Sequence, residues 1–217
     1  MAITLKDATL PQDFHRMGEL IVDAWQDYSF WTAIQHEATR EDAVAWMRDR
    51  FAGLFSKPYH HFYVLVDEQN GKTVAFTGLQ VPAHISEQDK AEPMQIPEIP
   101  KGMRAELVPT FFDVLGAGTR HGYDPEKDFH RRGTFVDLDY QKKGLGTRLT
   151  RYCNDIADRA GARTVVPATK NSIQMFKSNE FVVKEEFHVD LEPYTGRKGL
   201  EDFWLLIREP HPPSSSK

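Results

Sequence analysis

A short glycine-containing segment from Gln141 to Thr147 has the residue types of a phosphate-binding loop. A strand pattern over Thr134–Asp137 runs into this segment, and a helix with an apolar stripe is predicted over Leu145–Ala160. Backbone amides at a helix N-terminus lack intrahelical acceptors, the helix dipole favours negative charge there, and glycine lets a ligand approach the backbone. The segment therefore predicts a cradle for a phosphate or diphosphate, formed by Lys142, Lys143, Gly144, Leu145, Gly146 and Thr147.

Two known phosphate loops fit this segment poorly. The P-loop pattern G-x-x-x-x-G-K-[ST] does not occur in the chain, and the dinucleotide pattern G-x-G-x-x-G/A requires a small residue where Leu149 stands. An ordinary helix start that contains two glycines is the alternative to an anion site. A further alternative is an unrelated nucleotide-binding α/β protein, which would bind ATP or NAD in preference to other ligands.

Two stretches of the chain resemble the signatures of one family. Val136 followed by Gln141-Lys142-Lys143-Gly144-Leu145-Gly146 is similar to the Q/R-x-x-G-x-G/A signature of the GNAT acetyltransferases. Met175-Phe176-Lys177-Ser178-Asn179-Glu180-Phe181 resembles their L-Y-x-x-x-G-F, in the same order and at the right separation. The resemblance implies an α/β (α+β) fold with a mixed, largely antiparallel central sheet, helices on both faces and a splay near its middle.

The resemblance also implies acetyl-CoA (CoA) as co-substrate. The backbone of Phe135 and Val136 would pair with the pantetheine arm like an added strand. Gln141 opens the segment whose amides, from Lys142 to Thr147, would hold the diphosphate. Near the second signature, Asn171 and Lys177 would contact the arm or the nucleotide end of the cofactor; the alternative for these two is a solvated surface position.

Hydrophobic periodicity predicts the elements that would position these residues. An initial strand at residues 3–5 precedes a helix that begins near Pro11 and a second helix over Arg40–Phe55. A hairpin, a βαβ unit and closing strands follow, and we expect their elements at residues 61–66, 73–81, 134–137, 145–160, 164–168, 172–179, 182–191 and 203–207. We expect residues 1–209 to form a single domain with a proline-rich and helical insertion at about 82–127, followed by a disordered tail at 210–217.

His130 is the candidate general base. Acyl transfer from a thioester to an amine requires removal of the amine proton and stabilisation of the carbonyl oxygen and the thiolate, but no covalent enzyme intermediate. His130 precedes Gln141 by 11 residues, an offset at which several members of the family carry a Glu or His base. Histidine is mostly neutral at pH 7, which suits this role. The alternative is an ordinary strand residue, in a strand that Arg131 and Arg132 also make polar; the reserve candidates for the base are Asp128 and Asp137.

The chain departs from the family at the position of the general acid. Phe176 stands where the family motif has a tyrosine, and a phenyl ring has no proton to give to a thiolate. Glu180 stands where the motif has a glycine. We assign no acid: a water or another side chain could protonate CoA, the thiolate could leave unaided, or the protein could catalyse weakly.

An aromatic loop between the first two helices is the candidate acceptor site. Its rings are Tyr28, Phe30 and Trp31, and such rings either close the edge of a core or line a substrate pocket. The proline-rich excursion from Pro82 to Pro109 with the helix after it, and the turn at residues 193–201, would complete the site.

Composition and charge exclude several classes of function. The 217 residues carry 27 Lys and Arg against 32 Asp and Glu, a formal net charge of −5, so no nucleic-acid partner is expected. Cys153 is the only cysteine and reads as a packing residue, and the histidines lack ligand spacing, so neither a disulfide nor a metal is expected. Without a signal peptide or an apolar span, we expect a cytoplasmic monomer or homodimer with no membrane partner.

Together these features predict an N-acetyltransferase. It would transfer an acetyl group from acetyl-CoA to an amino group of a small amine or peptide by direct attack on the thioester. The alternative, favoured by Phe176, is a GNAT-fold module that binds CoA or regulates through it with weak or no catalysis. Release of free CoA in the presence of amines would distinguish the two.

Overall fold

The centre of the fold is a seven-stranded sheet. The computed structural model describes residues 2–9, 11–86, 96–196 and 198–211. Within them the strands are β1 (Ile3–Asp7), β2 (His60–Asp67), β3 (Lys72–Gln80), β4 (Phe129–Val136), β5 (Thr164–Thr169), β6 (Val182–Asp190) and β7 (Leu200–Arg208). The sheet order is β1-β2-β3-β4-β5-β7-β6, and all neighbours are antiparallel except β4 and β5. The predicted mixed, largely antiparallel sheet is confirmed.

Helices cover both faces of this sheet. They are α1 (Gln12–Ala24), α2 (Ser29–Gln35), α3 (Arg40–Phe55), α4 (Val108–Leu115), α5 (Leu145–Ala160), α6 (Ile173–Lys177) and α7 (Glu192–Thr195). Successive side chains of a strand point to opposite faces. Phe62 and Val64 of β2 therefore join the core shared with α1 and α3, whereas Tyr63 and Leu65 join the core shared with α5.

The sheet opens between β4 and β5. Phe129 pairs with Thr164 and His130 with Val165, and the pairing of these two strands ends there. β4 continues along β3, where a register shift coincides with Gly133 at φ 98°. A Cβ on Gly133 would lie 2.5 Å from the Phe135 ring, so this bend in β4 requires glycine. The predicted splay and the βαβ unit β4-α5-β5 are confirmed.

Several local predictions are wrong or incomplete. The aromatic stretch expected as a loop forms helix α2, and the turn expected after β6 contains α7. β4 begins at Phe129 rather than Thr134, because buried polar side chains hide its first half from hydrophobic patterning.

The predicted insertion and tail are described only in part. Trp46 Nε1 donates to the Pro97 carbonyl at 3.2 Å, and Met103 and Leu107 of the insertion belong to the core. The amide of His211 donates to Asp158 Oδ1 at 2.8 Å. Residues 87–95 and 212–217 lie outside the described residues, and the single-domain boundary at residue 209 stays a prediction.

Candidate functional site

The start of α5 has the geometry that an anion site requires. Gly144 caps the helix in the left-handed conformation, at φ 80° and ψ 4°. The first helical hydrogen bond runs from the Arg148 amide to the Gly144 carbonyl at 2.9 Å. The amides of Leu145, Gly146 and Thr147 therefore precede that bond and remain available to a ligand. A Cβ on Gly146 would lie 2.9 Å from Met175 Sδ, so this second glycine also allows α6 to pack closely.

The residues before α5 form a turn that is held by hydrogen bonds from side chains to backbone carbonyls. Gln141 Nε2 donates to the Val136 carbonyl at 3.2 Å, which closes the turn onto the end of β4. Lys143 Nζ donates to the Asp139 carbonyl at 2.8 Å and lies over a neighbouring aromatic ring. Lys142 is exposed at φ 57°. Its ammonium group adds positive charge beside the helix start.

A cleft of about 640 Å³ connects the start of α5 with the opening between β4 and β5. Most of the sequence-predicted site residues line it, namely Phe135, Val136, Gln141, Lys142, Gly144, Leu145, Gly146, Thr147 and Asn171, together with His130 and Tyr28. The other four, Lys143, Lys177, Phe30 and Trp31, lie outside this lining. Lys177 is exposed at the end of α6, whereas Phe30 and Trp31 are fully buried in the core.

His130 lies at the point where the sheet opens. It is buried and lines the cleft. Its ring packs edge to face against that of Tyr123, with the ring centres 5.2 Å apart. Its Nδ1 lies 2.9 Å from the Arg131 carbonyl oxygen. Because a carbonyl oxygen only accepts hydrogen bonds, Nδ1 carries the proton and Nε2 of the neutral ring carries the lone pair.

Comparison with known proteins identifies the family. The sequence matches the model of the acetyltransferase (GNAT) family over residues 19–181, more than half of the chain. The chain belongs to the GNAT acetyltransferase family. No curated protein matches its sequence.

Solved structures share this GNAT fold at low sequence identity. The C-terminal condensation domain of Ebony, solved with β-alanyl-dopamine, has a TM-score of 0.67 at 11% identity, over 96% of this chain and 99% of that one. The histone acetyltransferase HPA2 and related acetyltransferase from Corynebacterium glutamicum has a TM-score of 0.59 at 16% identity, over 99% of each chain. A phosphinothricin acetyltransferase from Sinorhizobium meliloti, solved with AcCoA, has a TM-score of 0.54 at 14% identity, over 100% of this chain and 93% of that one.

The second GNAT signature lies on α6 and the turn after it. Phe176 is buried against Phe181, with ring centres 5.3 Å apart. Glu180 occupies the glycine position of the motif and adopts φ 70°, a conformation that favours glycine. Its carboxylate lies 2.6 Å from His211 Nε2 and 3.6 Å from Arg208 Nη2. The turn therefore holds a glutamate in a conformation that glycine adopts more easily.

Three arginines of the cleft, of which Arg131 and Arg50 are buried and Arg132 is partly buried, were not assigned from the sequence. Arg131 is fully buried, and Arg132 donates through Nη2 to Gln80 Oε1. The Arg50 guanidinium lies 3.9 Å from the centre of the Phe112 ring, and burial, followed by repulsion from Arg132, lowers the pKa of Arg50 to about 9. The polarity of β4 was the sequence signal that could have assigned Arg131 and Arg132 to the site, since charged residues rarely occupy a central strand without a reason.

The aromatic acceptor candidates divide between the cleft and the core. The rings of Tyr28 and Phe203 pack edge to face with their centres 5.9 Å apart, and both residues line the cleft. Burial, followed by the nearby Glu201 and Asp202 carboxylates, raises the pKa of Tyr28 well above its ordinary value. Trp25, the residue after α1, also lines the cleft, and its ring centre lies 5.0 Å from that of Phe135. One part of the cleft therefore has an aromatic wall, formed by Trp25, Tyr28 and Phe203.

The reserve bases are both held by cations. Asp128 accepts from Arg163 Nε and Nη2 at 2.8 Å. Asp137 forms ion pairs with Arg16 and, at 2.8 Å, with Lys72. Burial acts to raise the pKa of Asp137, but the hydrogen bond from Lys72 and the neighbouring charges lower it overall. Both carboxylates therefore have structural partners.

Two further features contain chemically reactive groups: Cys153 and a polar cluster on β6 and β7. Cys153 is buried in the core under α5, and burial raises the pKa of its thiol. Glu186, His188 and Asp202 hold ligand atoms within 4.8 Å of one another on β6 and β7, at positions that are exposed or partly exposed.

Among the helices that the structure describes, none has the length and apolar character needed to cross a membrane.

Proposed function

We propose that this GNAT protein is an acetyl-CoA-dependent N-acetyltransferase, which transfers the acetyl group to an amino group of a small amine or peptide by direct attack on the thioester. One observation carries the proposal: the first amides of α5, capped by Gly144, open onto the same cleft as the splay of β4. A helix start of this kind stabilises a diphosphate through its amides and its dipole. The Sinorhizobium relative, solved with AcCoA, supports acetyl-CoA as the co-substrate.

The edge of β4 that faces the splay would bind the pantetheine arm. Phe135 and Val136 pair with Phe76 and Ala75 of β3 on one side, while their pairing with β5 has already ended. Backbone groups on the open side need partners when water is displaced. The amides of a pantetheine arm would supply them, in the way that an added strand does.

His130 would act as the base for the attacking amine. Its Nε2 carries the lone pair, because Nδ1 is committed to the Arg131 carbonyl. The amine must lose a proton as it bonds to the carbonyl carbon, and a neutral imidazole in the cleft can take that proton directly or through one water.

The acceptor would bind along the aromatic wall. Trp25, Tyr28 and Phe203 line this part of the cleft and offer apolar surface to the body of an amine or a peptide side chain. Amine acceptors are the substrate class of the family, and the wall supports an acceptor with an apolar or aromatic group.

Binding and turnover together test the proposal. Calorimetry should detect acetyl-CoA binding to the purified protein, and a panel of arylalkyl amines, polyamines and short peptides should contain members that release free CoA at a steady rate. No detectable heat with acetyl-CoA would contradict the cofactor assignment. Binding without turnover on any amine would instead support the module that binds CoA without catalysis, for which the missing tyrosine at Phe176 is the specific argument.

A matched pair of glycine variants tests the cradle itself. Gly144→Val and Gly161→Val place the same side chain at the two ends of α5, at φ 80° and φ 63°, with no atom within 4 Å of either added Cβ. Both variants carry a similar backbone strain of about 1–2 kcal/mol. We expect Gly144→Val to weaken acetyl-CoA binding by at least about 30-fold, a loss of about 2 kcal/mol, while Gly161→Val binds normally. Equal weakening in both would assign the loss to stability rather than to the cradle.

A further inference from the structure

Arg131 is a charged residue buried at the floor of the cleft. Its side chain is fully buried, and Nη2 donates to Thr77 Oγ1 and Thr134 Oγ1, both at 2.7 Å. The Cys153 thiol and the Phe176 ring also lie near the guanidinium. Within the part of the chain that the structure describes, Nε and Nη1 have no hydrogen-bond acceptor. The guanidinium is therefore surrounded by neutral groups and has two unused donors.

A buried charge without a compensating anion raises the free energy of the folded protein. Burial lowers the pKa of Arg131, yet a guanidinium stays protonated at neutral pH. A buried charge is stable when an anion and hydrogen bonds compensate it. Thr77 Oγ1 itself donates to the Gly133 carbonyl at 2.7 Å, which fixes the direction of the guanidinium. The arginine is thus held in place before any anion arrives.

The cofactor arm proposed above has the length to reach Arg131. A Cβ on Gly146 would lie 3.8 Å from Val136 Cγ2, so the helix start adjoins the end of β4. The arm from the diphosphate to the sulfur contains about twelve bonds, the length of about four extended residues. Arg131 lies four residues before Phe135 on β4. The sulfur of a cofactor bound along β4 would therefore come to rest beside the guanidinium.

Phe176 lies near the same guanidinium. The Arg131 guanidinium carbon is 5.7 Å from the centre of the Phe176 ring. This residue replaces the tyrosine of the family motif, and it cannot donate a proton. A cation and an aromatic ring without a hydroxyl thus lie together where a leaving sulfur would become negative.

We propose that Arg131 binds the thiolate sulfur as coenzyme A leaves and so replaces the missing acid. The inference rests on the proposed function. The amine nitrogen bonds to the carbonyl carbon, the carbon–sulfur bond breaks, and its electron pair passes to the sulfur. The nitrogen proton goes to His130 or to water, Arg131 stays protonated, and the thiolate takes a proton from solvent after release.

Substitutions at Arg131 and Phe176 test this role. In Arg131→Met, kcat should fall about 100-fold, as on removal of a preorganised donor to a developing charge, while Kd for acetyl-CoA stays within about threefold. Adding Phe176→Tyr to Arg131→Met should restore at least about tenfold in kcat, because the tyrosine hydroxyl can protonate the thiolate. Arg104→Met, which removes a partly buried arginine outside the cleft lining, is the control and should keep kcat near wild type.

The outcomes separate this inference from the proposed function. Wild-type protein that does not bind acetyl-CoA contradicts the proposed function. Active wild-type protein with an equally active Arg131→Met variant overturns the inference alone, and so does a loss that Phe176→Tyr fails to restore. If Arg131→Met does not fold, Arg131→Lys takes its place, since lysine keeps the charge without the planar fork; its expected loss is about tenfold, again restored by Phe176→Tyr.

Discussion

At the scale of single residues, one backbone contact decides which atom of His130 can accept a proton. The Arg131 carbonyl holds Nδ1 at 2.9 Å and leaves the lone pair on Nε2. The same carbonyl belongs to the residue whose side chain is proposed to receive the thiolate. The proposed base and the proposed thiolate partner are therefore consecutive residues of β4, whose side chains leave the strand in opposite directions. Such a pair can act on the two ends of one acyl transfer.

We expect His130→Asn to lower kcat about 100-fold, the usual size of a general-base contribution. Asparagine keeps a donor for the Arg131 carbonyl but has no base, so acetyl-CoA should bind with nearly unchanged affinity. The rate of the variant should partly recover at high pH, where more of the acceptor amine is already deprotonated. Steady-state kinetics from pH 6 to about pH 9.5 measure both effects.

His60→Asn is the control for this substitution. His60 is also buried and also contacts a backbone carbonyl, that of Leu54, at 3.0 Å through Nδ1. It lies outside the cleft lining. An equal loss of rate in both variants would assign the effect to packing and remove His130 from the mechanism.

At the scale of elements, the turn between α6 and β6 holds a non-glycine residue in a glycine conformation. Glu180→Gly and Glu180→Ala both remove the carboxylate that contacts His211 and Arg208. Only glycine relieves the backbone at φ 70°. We therefore expect Glu180→Gly to be more stable than Glu180→Ala by about 1 kcal/mol in urea unfolding. Equal stability of the two variants would show that the turn is not strained.

The elements also show what the sequence could predict and what it could not. α3 and α5 begin and end where periodicity placed them, because local signals such as the Thr39 cap and Gly161 mark their ends. The first half of β4 was missed, since its polar residues have no local pattern. The setting of Arg131 depends on Thr77, on the bend at Gly133 and on α6, which only the tertiary structure brings together. The glycine-capped start of α5 was predictable because a helix start is a local feature.

At the scale of the whole molecule, a single ion pair joins the far end of α5 to the last strand. Asp158 accepts from Arg208 Nη1 and Nη2 at 2.7 and 2.8 Å, and from the His211 amide. Arg208 is buried on β7, which pairs with both β5 and β6. The pair therefore links the βαβ unit that carries the proposed cradle to β7 and, through β7, to β6.

Loss of this pair should destabilise the whole fold in a pH-dependent way. Burial acts to raise the pKa of Asp158, but the Arg208 and His211 contacts lower it overall. A carboxyl with a lowered pKa stabilises the fold above its unfolded pKa and loses that contribution as pH falls through the folded value. Asp158→Asn should cost about 3 kcal/mol at pH 7, since it leaves a buried guanidinium with only the exposed Glu180 carboxylate, 3.6 Å from Nη2, as its counter-charge. The difference from wild type should shrink below about pH 4, whereas Asp155→Asn, an exposed change on the same helix, should have little effect in urea unfolding at either pH. A difference that stays constant down to about pH 3 would show that packing, not charge, holds α5 to β7.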